Sequence, residues 1–219
     1  MLTLKYSKKG SAIYISHIDL LRQFIKILNR AEIEVSYSGG YHPHMNIFFS
    51  PALPLGVESD AEYCTIECQK SGIIDMLNDK SIKGLEFIEE FVTESNPKLA
   101  AKVAVADYEV ECCLNDGNIA ELENFLTENE ILMELDKKGE TVIKNVKPLI
   151  LSYSITKEII FFRLAVGNPN LRIDSLIRLI NKNTQCNLKI TDSKKTEQFI
   201  MENDALVGVD RYLKSQGVK

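Results

Sequence analysis

The alternation of apolar and polar positions over residues 1–95 predicts the order strand, helix, strand, strand, helix, strand. Between residues 18 and 31, apolar side chains recur every three or four positions, which predicts a helix buried along one side. Ser16 is its predicted N-cap, with Asp19 at the third helical position. The other runs predict an opening strand or hairpin that includes Tyr6 and 13–15, strands at 45–50, 61–68 and 85–93, and a short helix at 73–78.

The same order returns over residues 96–219, after a predicted linker at 94–97. The pattern predicts helices at 100–104, 119–126 and 173–180, strands at 106–114, 149–155, 159–166 and 188–191, and a hairpin of 131–135 with 141–146 around a turn at 137–139. Two tandem ferredoxin-like halves of the split β-α-β kind, 1–95 and 96–219, account for this rhythm most simply. We therefore predict an α+β protein with antiparallel sheets, although no sequence identity links the halves.

A length of 219 residues with 45% hydrophobic and 26% charged residues is typical of a soluble globular protein. No apolar run approaches the roughly 20 residues that span a bilayer, and the N-terminus lacks the form of a signal peptide. None of the five cysteines forms a C-x-x-C pair, which favours reduced thiols. We therefore expect a cytoplasmic protein with no membrane partner. The net charge of −5 is concentrated in 57–139, while both flanking segments are net basic and can present a basic face to a partner.

The three histidines, His17, His42 and His44, fall in one short stretch, which marks a candidate site because histidine serves in acid–base chemistry and metal binding. His17 is predicted in the first turn of a helix, where the helix dipole favours a neutral imidazole and an anion beside it. The proline between His42 and His44 favours an extended chain, in which the two rings face the same way. A third ligand from His17 requires the 36–44 loop to fold back. We predict no metal site and no cofactor, with His42 and His44 as the alternative metal ligands.

A row of basic side chains follows His17 along the predicted helix. Arg22, Lys26 and Arg30 are spaced by four residues and therefore share one face. Such a row can follow a nucleic-acid backbone or an acidic partner, or it can be an ordinary solvated face on which Asp19 pairs with Arg22.

Carboxylates follow the proline-rich loop that ends near residue 56. Glu58, Ser59 and Glu62 precede a predicted strand and can face the same cleft as the histidines. Paired carboxylates can do acid–base work, although glutamates at a strand entrance are also commonly exposed. No phosphate-loop, dinucleotide-binding or zinc-protease motif is present.

Three ordered motifs carry a family resemblance: I-S-H-I-D-L-L-R at 15–22, Y-S-G-G-Y-H-P-H at 37–44 and P-A-L-P-L-G-V-E-S at 51–59. They resemble the signature of the radical SAM-associated (radical SAM-linked) proteins, an uncharacterised bacterial family that typically reads S-H-L-D-L-x-R, G-F-N-P-H-P and P-L-P-x-G-x-x-S. Tyr41 and His42 replace the usual Phe-Asn, so His44 is the family-type histidine. The resemblance returns faintly at 167–170 and 195–197.

The resemblance implies a bacterial protein that is fused to, or encoded near, radical SAM enzymes. The chain lacks a C-x-x-x-C-x-x-C cluster motif, so we predict an accessory or adaptor protein that works with such an enzyme and binds RNA or a protein partner in a cleft. The residues expected to bind the partner are His17, Asp19, Arg22, Lys26, Arg30, Tyr41, His44 and Ser59. The alternative is a metal-independent RNA-processing or RNA-modifying enzyme that uses His17 and His44, with Glu58 as a further catalytic candidate.

Overall fold

The computed structural model describes residues 1–137, 140–189 and 192–217. The first segment, residues 1–95, contains β1 (Leu2–Lys8), α1 (His17–Arg30), β2 (Ile47–Phe49), β3 (Glu58–Ile66), α2 (Ile74–Lys80) and β4 (Leu85–Val92). The second segment, from residue 96 onwards, contains α3 (Leu99–Lys102), β5 (Val103–Glu111), α4 (Asp116–Thr127), β6 (Leu132–Lys137), β7 (Glu140–Asn145), β8 (Ile150–Ile155), β9 (Ile159–Ala165), α5 (Ile173–Asn183), β10 (Ser193–Glu202), β11 (Ala205–Gly208) and α6 (Val209–Ser215).

Nine of the described strands, drawn from both segments, form one continuous sheet. Its order is β4-β1-β3-β10-β5-β9-β8, with β2 beside β3 and β11 beside β10. Neighbouring strands are antiparallel except β3 and β10, which pair in parallel at Glu58 with Lys194 and at Ser59 with Lys195. The predicted α+β class and mostly antiparallel pairing are confirmed. The sheets that we predicted for the two halves are joined into one by the parallel pair.

Within each segment the strands follow a common order. The first segment reads β4-β1-β3-β2 and the second reads β10-β5-β9-β8. The β6–β7 hairpin lies outside this sheet. The assignment of two tandem ferredoxin-like halves, and the boundary between residues 95 and 96, stay predictions.

The core also joins the two segments. Val57, Ala61, Tyr63 and Phe91 of the first segment are buried in a cluster whose other members come from the second segment. A separate cluster, which includes the fully buried Phe24, combines α1 and α2 with β1, β3 and β4. The shared sheet and the shared core fix one segment against the other.

The structure corrects the predicted opening hairpin. Residues 13–15 do not form a strand, because the chain there follows a 3₁₀ helix over Gly10–Tyr14. The amide of Ile15 donates to the carbonyl of Ala12, and the buried amine of Lys8 donates to the carbonyl of Ile15 at 2.8 Å. These bonds fix the turn of the chain between the end of β1 and the start of α1.

The C-terminal part of the chain holds elements that the pattern does not predict. β10, β11 and α6 all follow residue 192, whereas the pattern predicts a last strand at 188–191. Leu188 and Lys189 lie in no strand. Residues 190–191, like residues 138–139 of the predicted hairpin turn, lie outside the described residues.

The cysteines and helices add two plain findings. All five cysteines are free, with Cys64 and Cys186 buried and Cys113 exposed. Of the helices in the described ranges, none is both long and apolar enough to cross a bilayer.

Candidate functional site

A cleft of about 730 Å³ opens where the two segments meet. The first segment contributes the start of α1, at residues 16–17, and the proline-rich loop 51–55. The second segment contributes α3 and the loop between Val166 and Arg172, which leads from β9 into α5. Because each segment supplies walls, neither forms the cleft alone.

A row of polar side chains crosses four neighbouring strands of the sheet at the floor of the cleft. The strand register places Lys8 opposite Ser59, Ser59 beside Lys195, and Lys195 opposite Tyr108. Each of the four is no more than 2% exposed. Residues paired in register share one face of a sheet, so these side chains lie side by side. We call Lys8, Ser59, Lys195 and Tyr108 the polar row.

Glu62 is the carboxylate that contacts two members of the polar row, Ser59 and Lys195. Its Oε1 forms an ion pair with Lys195 Nζ and accepts a hydrogen bond from Ser59 Oγ, both at 2.8 Å. Glu62 is 3% exposed and lies opposite Tyr6 in the register of β1 with β3. Burial lowers the pKa of the Lys8 amine, which donates to a backbone carbonyl, while the nearby Glu62 acts in the opposite direction. One buried carboxylate thus accompanies two buried amines.

Two buried tyrosines lie on strands to either side of Glu62. Tyr108 lines the cleft, and Tyr6 lines a smaller pocket that shares His17 with it. Burial raises the pKa of both phenols, and the charge of Glu62 raises it further. Among the described residues, neither hydroxyl has a hydrogen-bond partner. Both phenols therefore stay protonated and offer O–H donors to the site.

His17 is the predicted histidine that the structure places at the cleft. Its exposed ring packs edge-on against Phe49, with ring centroids 5.2 Å apart. Ser16 caps α1 as predicted, because its Oγ accepts from the amide of Asp19 at 3.2 Å. Hydrogen bonds from Ser16 and then Arg22 lower the pKa of the Asp19 carboxyl. Asp19 is therefore engaged by the helix end and does not line the cleft.

Arg172 brings a guanidinium to the cleft from the second segment. Its Nε and Nη2 donate to the two oxygens of Asp174, both at 2.9 Å. Arg178 donates to the same carboxylate at 2.8 Å. The side chain of Asp174 is 5% exposed, whereas that of Arg172 is 52% exposed. Two arginines thus share one buried carboxylate, and one of them stays open to the cleft.

The loop with the other two histidines lies apart from His17. The Ser36 amide donates to the Glu67 carbonyl at 2.9 Å, which anchors the loop just beyond the far end of β3. At about 3.3 Å per residue, this anchor is about 16 Å along the strand from Glu62. His44 Nδ1 bonds to Ser38 Oγ at 2.8 Å, whereas the exposed Tyr41 packs on His42. His44 and Tyr41 do not line the cleft, so the geometry does not pair His44 with His17.

The geometry also bears on the alternative metal site. Of the residues that the structure describes, no three or more His, Cys, Asp or Glu side chains form a group that could hold a metal ion. His42 and His44 each have their own neighbour, the Tyr41 ring and the Ser38 hydroxyl. They form no shared ligand pair with a further acidic or thiol group.

The basic row has the exposure that its spacing predicts. Arg22, Lys26 and Arg30 are all exposed on α1. Because α1 begins at the cleft, the row leads away from it along the outer face of the helix. Arg22 is the one that pairs with Asp19, at 2.8 Å.

The residues after the proline-rich loop take different roles. Glu58 accepts a hydrogen bond from the amide of Gly10 at 3.0 Å and does not line the cleft. Ser59 is fully buried and donates to Glu62. Of the two glutamates, Glu62 is therefore the one at the floor.

Five residues of the site were not predicted from the sequence: Tyr6, Lys8, Tyr108, Arg172 and Lys195. Each is a polar or charged residue in or beside an element whose partners come from another part of the chain. The faint return of the motif pattern at 167–170 and 195–197 was the available signal. Both stretches reach the cleft, through Asn168, Asn170 and Lys195.

Comparisons with known proteins place the chain in a family. No curated protein matches it. Among solved structures, it is similar to a chain of the "Crystal Structure of a Cbf5-Nop10-Gar1 Complex", with 15% sequence identity and a TM-score of 0.43. That alignment covers 97% of this chain and 54% of the other, so this chain spans about half the length of the one it matches. The family model described as "Uncharacterized protein conserved in bacteria (DUF2344)" matches residues 1–189. The chain therefore belongs to this uncharacterised family of bacterial proteins.

Proposed function

We propose that this protein is an accessory RNA-binding protein that holds RNA in the cleft between its two segments and works with a radical SAM enzyme. The observation that carries the proposal is the charge of the cleft. Lys195 lies at its floor, Arg172 lies at its second-segment wall, and no carboxylate is among the described residues that line it. A basic, partly apolar cleft suits a phosphate backbone with attached bases.

The surroundings favour RNA over a protein partner. The exposed row of Arg22, Lys26 and Arg30 extends the basic surface from the cleft along α1. An RNA strand that leaves the cleft can place its phosphates along this row. Asn168 and Asn170 bring exposed side-chain amides, which can bond to base edges. Tyr14 is 63% exposed two residues before Ser16 and can stack on an unpaired base. Single-stranded RNA is therefore the form we propose.

The accessory role rests on a different observation. Radical SAM chemistry needs an iron–sulfur cluster held by closely spaced cysteines, and this chain has no such spacing. The three motifs at 15–22, 37–44 and 51–59 resemble those of radical SAM-associated proteins, which is why the proposed partner is a radical SAM enzyme. A radical SAM enzyme encoded in the same genome is expected to co-elute with the purified full chain. Separate elution in the presence and absence of RNA would remove this part of the proposal.

The RNA part is tested by removing the basic row. The triple variant Arg22→Ala, Lys26→Ala, Arg30→Ala is expected to bind single-stranded oligoribonucleotides at least about tenfold more weakly near physiological salt. The slope of log K against log[salt] should become shallower by about 2, since each lost phosphate contact contributes about 0.7. Fluorescence anisotropy over a salt series measures both quantities.

The matched control removes three exposed lysines elsewhere: Lys70→Ala, Lys157→Ala and Lys182→Ala. It makes the same change in net charge away from α1 and the cleft, so it should leave the slope nearly unchanged. Equal losses in the two triple variants would mean that RNA responds only to net charge. That result would contradict binding along α1.

A further inference from the structure

We infer that the floor of the cleft binds a phosphomonoester, such as the terminal phosphate of an RNA strand or the phosphate of a free nucleotide. This inference rests on the proposed function for the RNA source, but the chemistry of the floor also applies to a free nucleotide. The residues that carry it are Lys195, Tyr108 and Arg172, which line the cleft, together with Lys8 and Tyr6, which line the smaller adjoining pocket.

The floor and the second-segment wall of the cleft carry a surplus of positive charge. Lys8, Lys195 and Glu62 are each no more than 3% exposed, so the floor holds two amines for one carboxylate. Near it, Arg172 and Arg178 share the single carboxylate of Asp174. Burying a charge without a counter-charge is costly, so sites with such a surplus are completed by an anion. The floor thus has one buried amine without a counter-charge, and the half-exposed Arg172 adds a second positive group at the cleft wall. Two positive groups suit a phosphomonoester, which carries about −1.5 to −2.

Two phenol hydroxyls add uncharged hydrogen-bond donors to the site. Tyr6 and Tyr108 are 1% and 2% exposed, and among the described residues neither phenol hydroxyl bonds to another group. Among the described residues, Gln198 Oε1 is the one buried side-chain polar atom without a partner, so the two phenol hydroxyls are reached by solvent and are free to donate to a ligand. Both phenols are protonated donors, and Tyr108 lines the cleft itself. Donors beside amines match the acceptor oxygens of a phosphate.

The geometry then orders the contacts. Lys195 and Tyr108 are cross-strand neighbours that both line the cleft, so they can approach the same phosphate. Glu62 holds Lys195 at 2.8 Å and thereby fixes the position of its amine. Arg172, fixed by Asp174, approaches from the opposite segment. A terminal phosphate would thus be bound by both segments at once.

Tyr108→Phe is the variant that isolates the floor. It removes one hydroxyl that has no partner among the described residues, so the urea midpoint of unfolding should be unchanged or higher. Affinity for an internally labelled oligoribonucleotide with a terminal phosphate should fall about tenfold, because a hydrogen bond to a charged group is lost. Tyr37→Phe, at a tyrosine that is 56% exposed in the 36–46 loop, is the control and should change neither quantity.

The ligands are chosen to separate the two sources of phosphate. The wild-type chain is titrated with the same oligoribonucleotide bearing a 5′-phosphate, a 3′-phosphate or hydroxyls at both ends, and with a nucleoside monophosphate and inorganic phosphate as competitors. We expect one phosphorylated end to bind at least about tenfold more tightly than the hydroxyl form, with Tyr108→Phe removing that preference.

The outcomes distinguish this inference from the proposed function. RNA binding that depends on the basic row but ignores terminal phosphate, without competition from either small ligand, overturns the inference and leaves the RNA proposal in place. Binding of the nucleoside monophosphate that depends on Tyr108, without RNA binding, supports the phosphate site and overturns the RNA proposal. If Tyr37→Phe loses binding as completely as Tyr108→Phe, the effect is not specific to the tyrosine at the floor of the cleft, and the inference is overturned.

Discussion

Replacing Lys195 with methionine is expected to lower the free energy of unfolding by about 3–5 kcal/mol, the usual cost of breaking a buried ion pair by removing one partner. The variant keeps most of the volume of the side chain but leaves Glu62, which is 3% exposed, without its 2.8 Å partner. Urea denaturation followed by circular dichroism measures the change.

Two controls make this expectation specific. Adding Glu62→Gln to Lys195→Met should recover at least half of the loss, because the unpaired buried charge is then removed. Lys182→Met breaks an ion pair with Glu134 at 3.4 Å in which both side chains are 65% exposed, and it should cost less than about 1 kcal/mol. A loss for Lys195→Met no larger than that for Lys182→Met would show that the pair at the floor is not buried in solution.

Phe24→Ala is the second large expected effect, with a loss of about 3–5 kcal/mol in the free energy of unfolding. Phe24 is fully buried, and its ring centroid lies 5.0 Å from Tyr6, 5.0 Å from Phe49 and 5.3 Å from Phe87. The cavity would also loosen Phe49, against which the His17 ring packs. We therefore expect weaker RNA binding in addition to lower stability.

The controls for Phe24 separate volume from position. Phe24→Leu fills most of the space and should cost less than about 2 kcal/mol. Phe48 precedes Phe49 in β2, and its phenyl ring is 43% exposed. Phe48→Ala should therefore cost much less free energy of unfolding than Phe24→Ala. Thermal and urea denaturation of the three variants give the ranking. Equal losses for Phe24→Ala and Phe48→Ala would contradict the assigned core.

The helix α1 shows what local pattern predicts well. Its apolar spacing and its Ser16 cap are properties of neighbouring residues, and the structure has both within one residue of the prediction. The sequence S-K-K-T-E-Q-F-I-M-E of β10 shows the opposite case. Lys195 and Gln198 are buried there because their partners, Glu62 and the carbonyl of Ala61, come from β3. No pattern within the strand contains that information, so the sequence of β10 does not predict a strand at the middle of the sheet.

The histidines illustrate the same limit for the candidate site. Their clustering along the chain predicts a common cleft. The loop that carries His42 and His44 is instead anchored beyond the end of β3 that lies far from the cleft, where the Ser36 amide donates to the Glu67 carbonyl. The motif residues at 16–17 and 51–55 do converge, because α1 and the proline-rich loop both start at the cleft. Arg172 and Lys195 join them through the pairing of β3 with β10, of β10 with β5 and of β5 with β9, which is a property of the whole sheet.

The most direct test of the proposed function is to locate bound RNA on the full chain. Ultraviolet crosslinking of a single-stranded oligoribonucleotide, followed by mass spectrometry of the crosslinked peptides, reports the contacting residues without any substitution. The proposal predicts crosslinks within 51–55 and 166–172, the two walls of the cleft. Crosslinks confined to the 36–46 loop or to the β6–β7 hairpin, with none at the cleft, would contradict it.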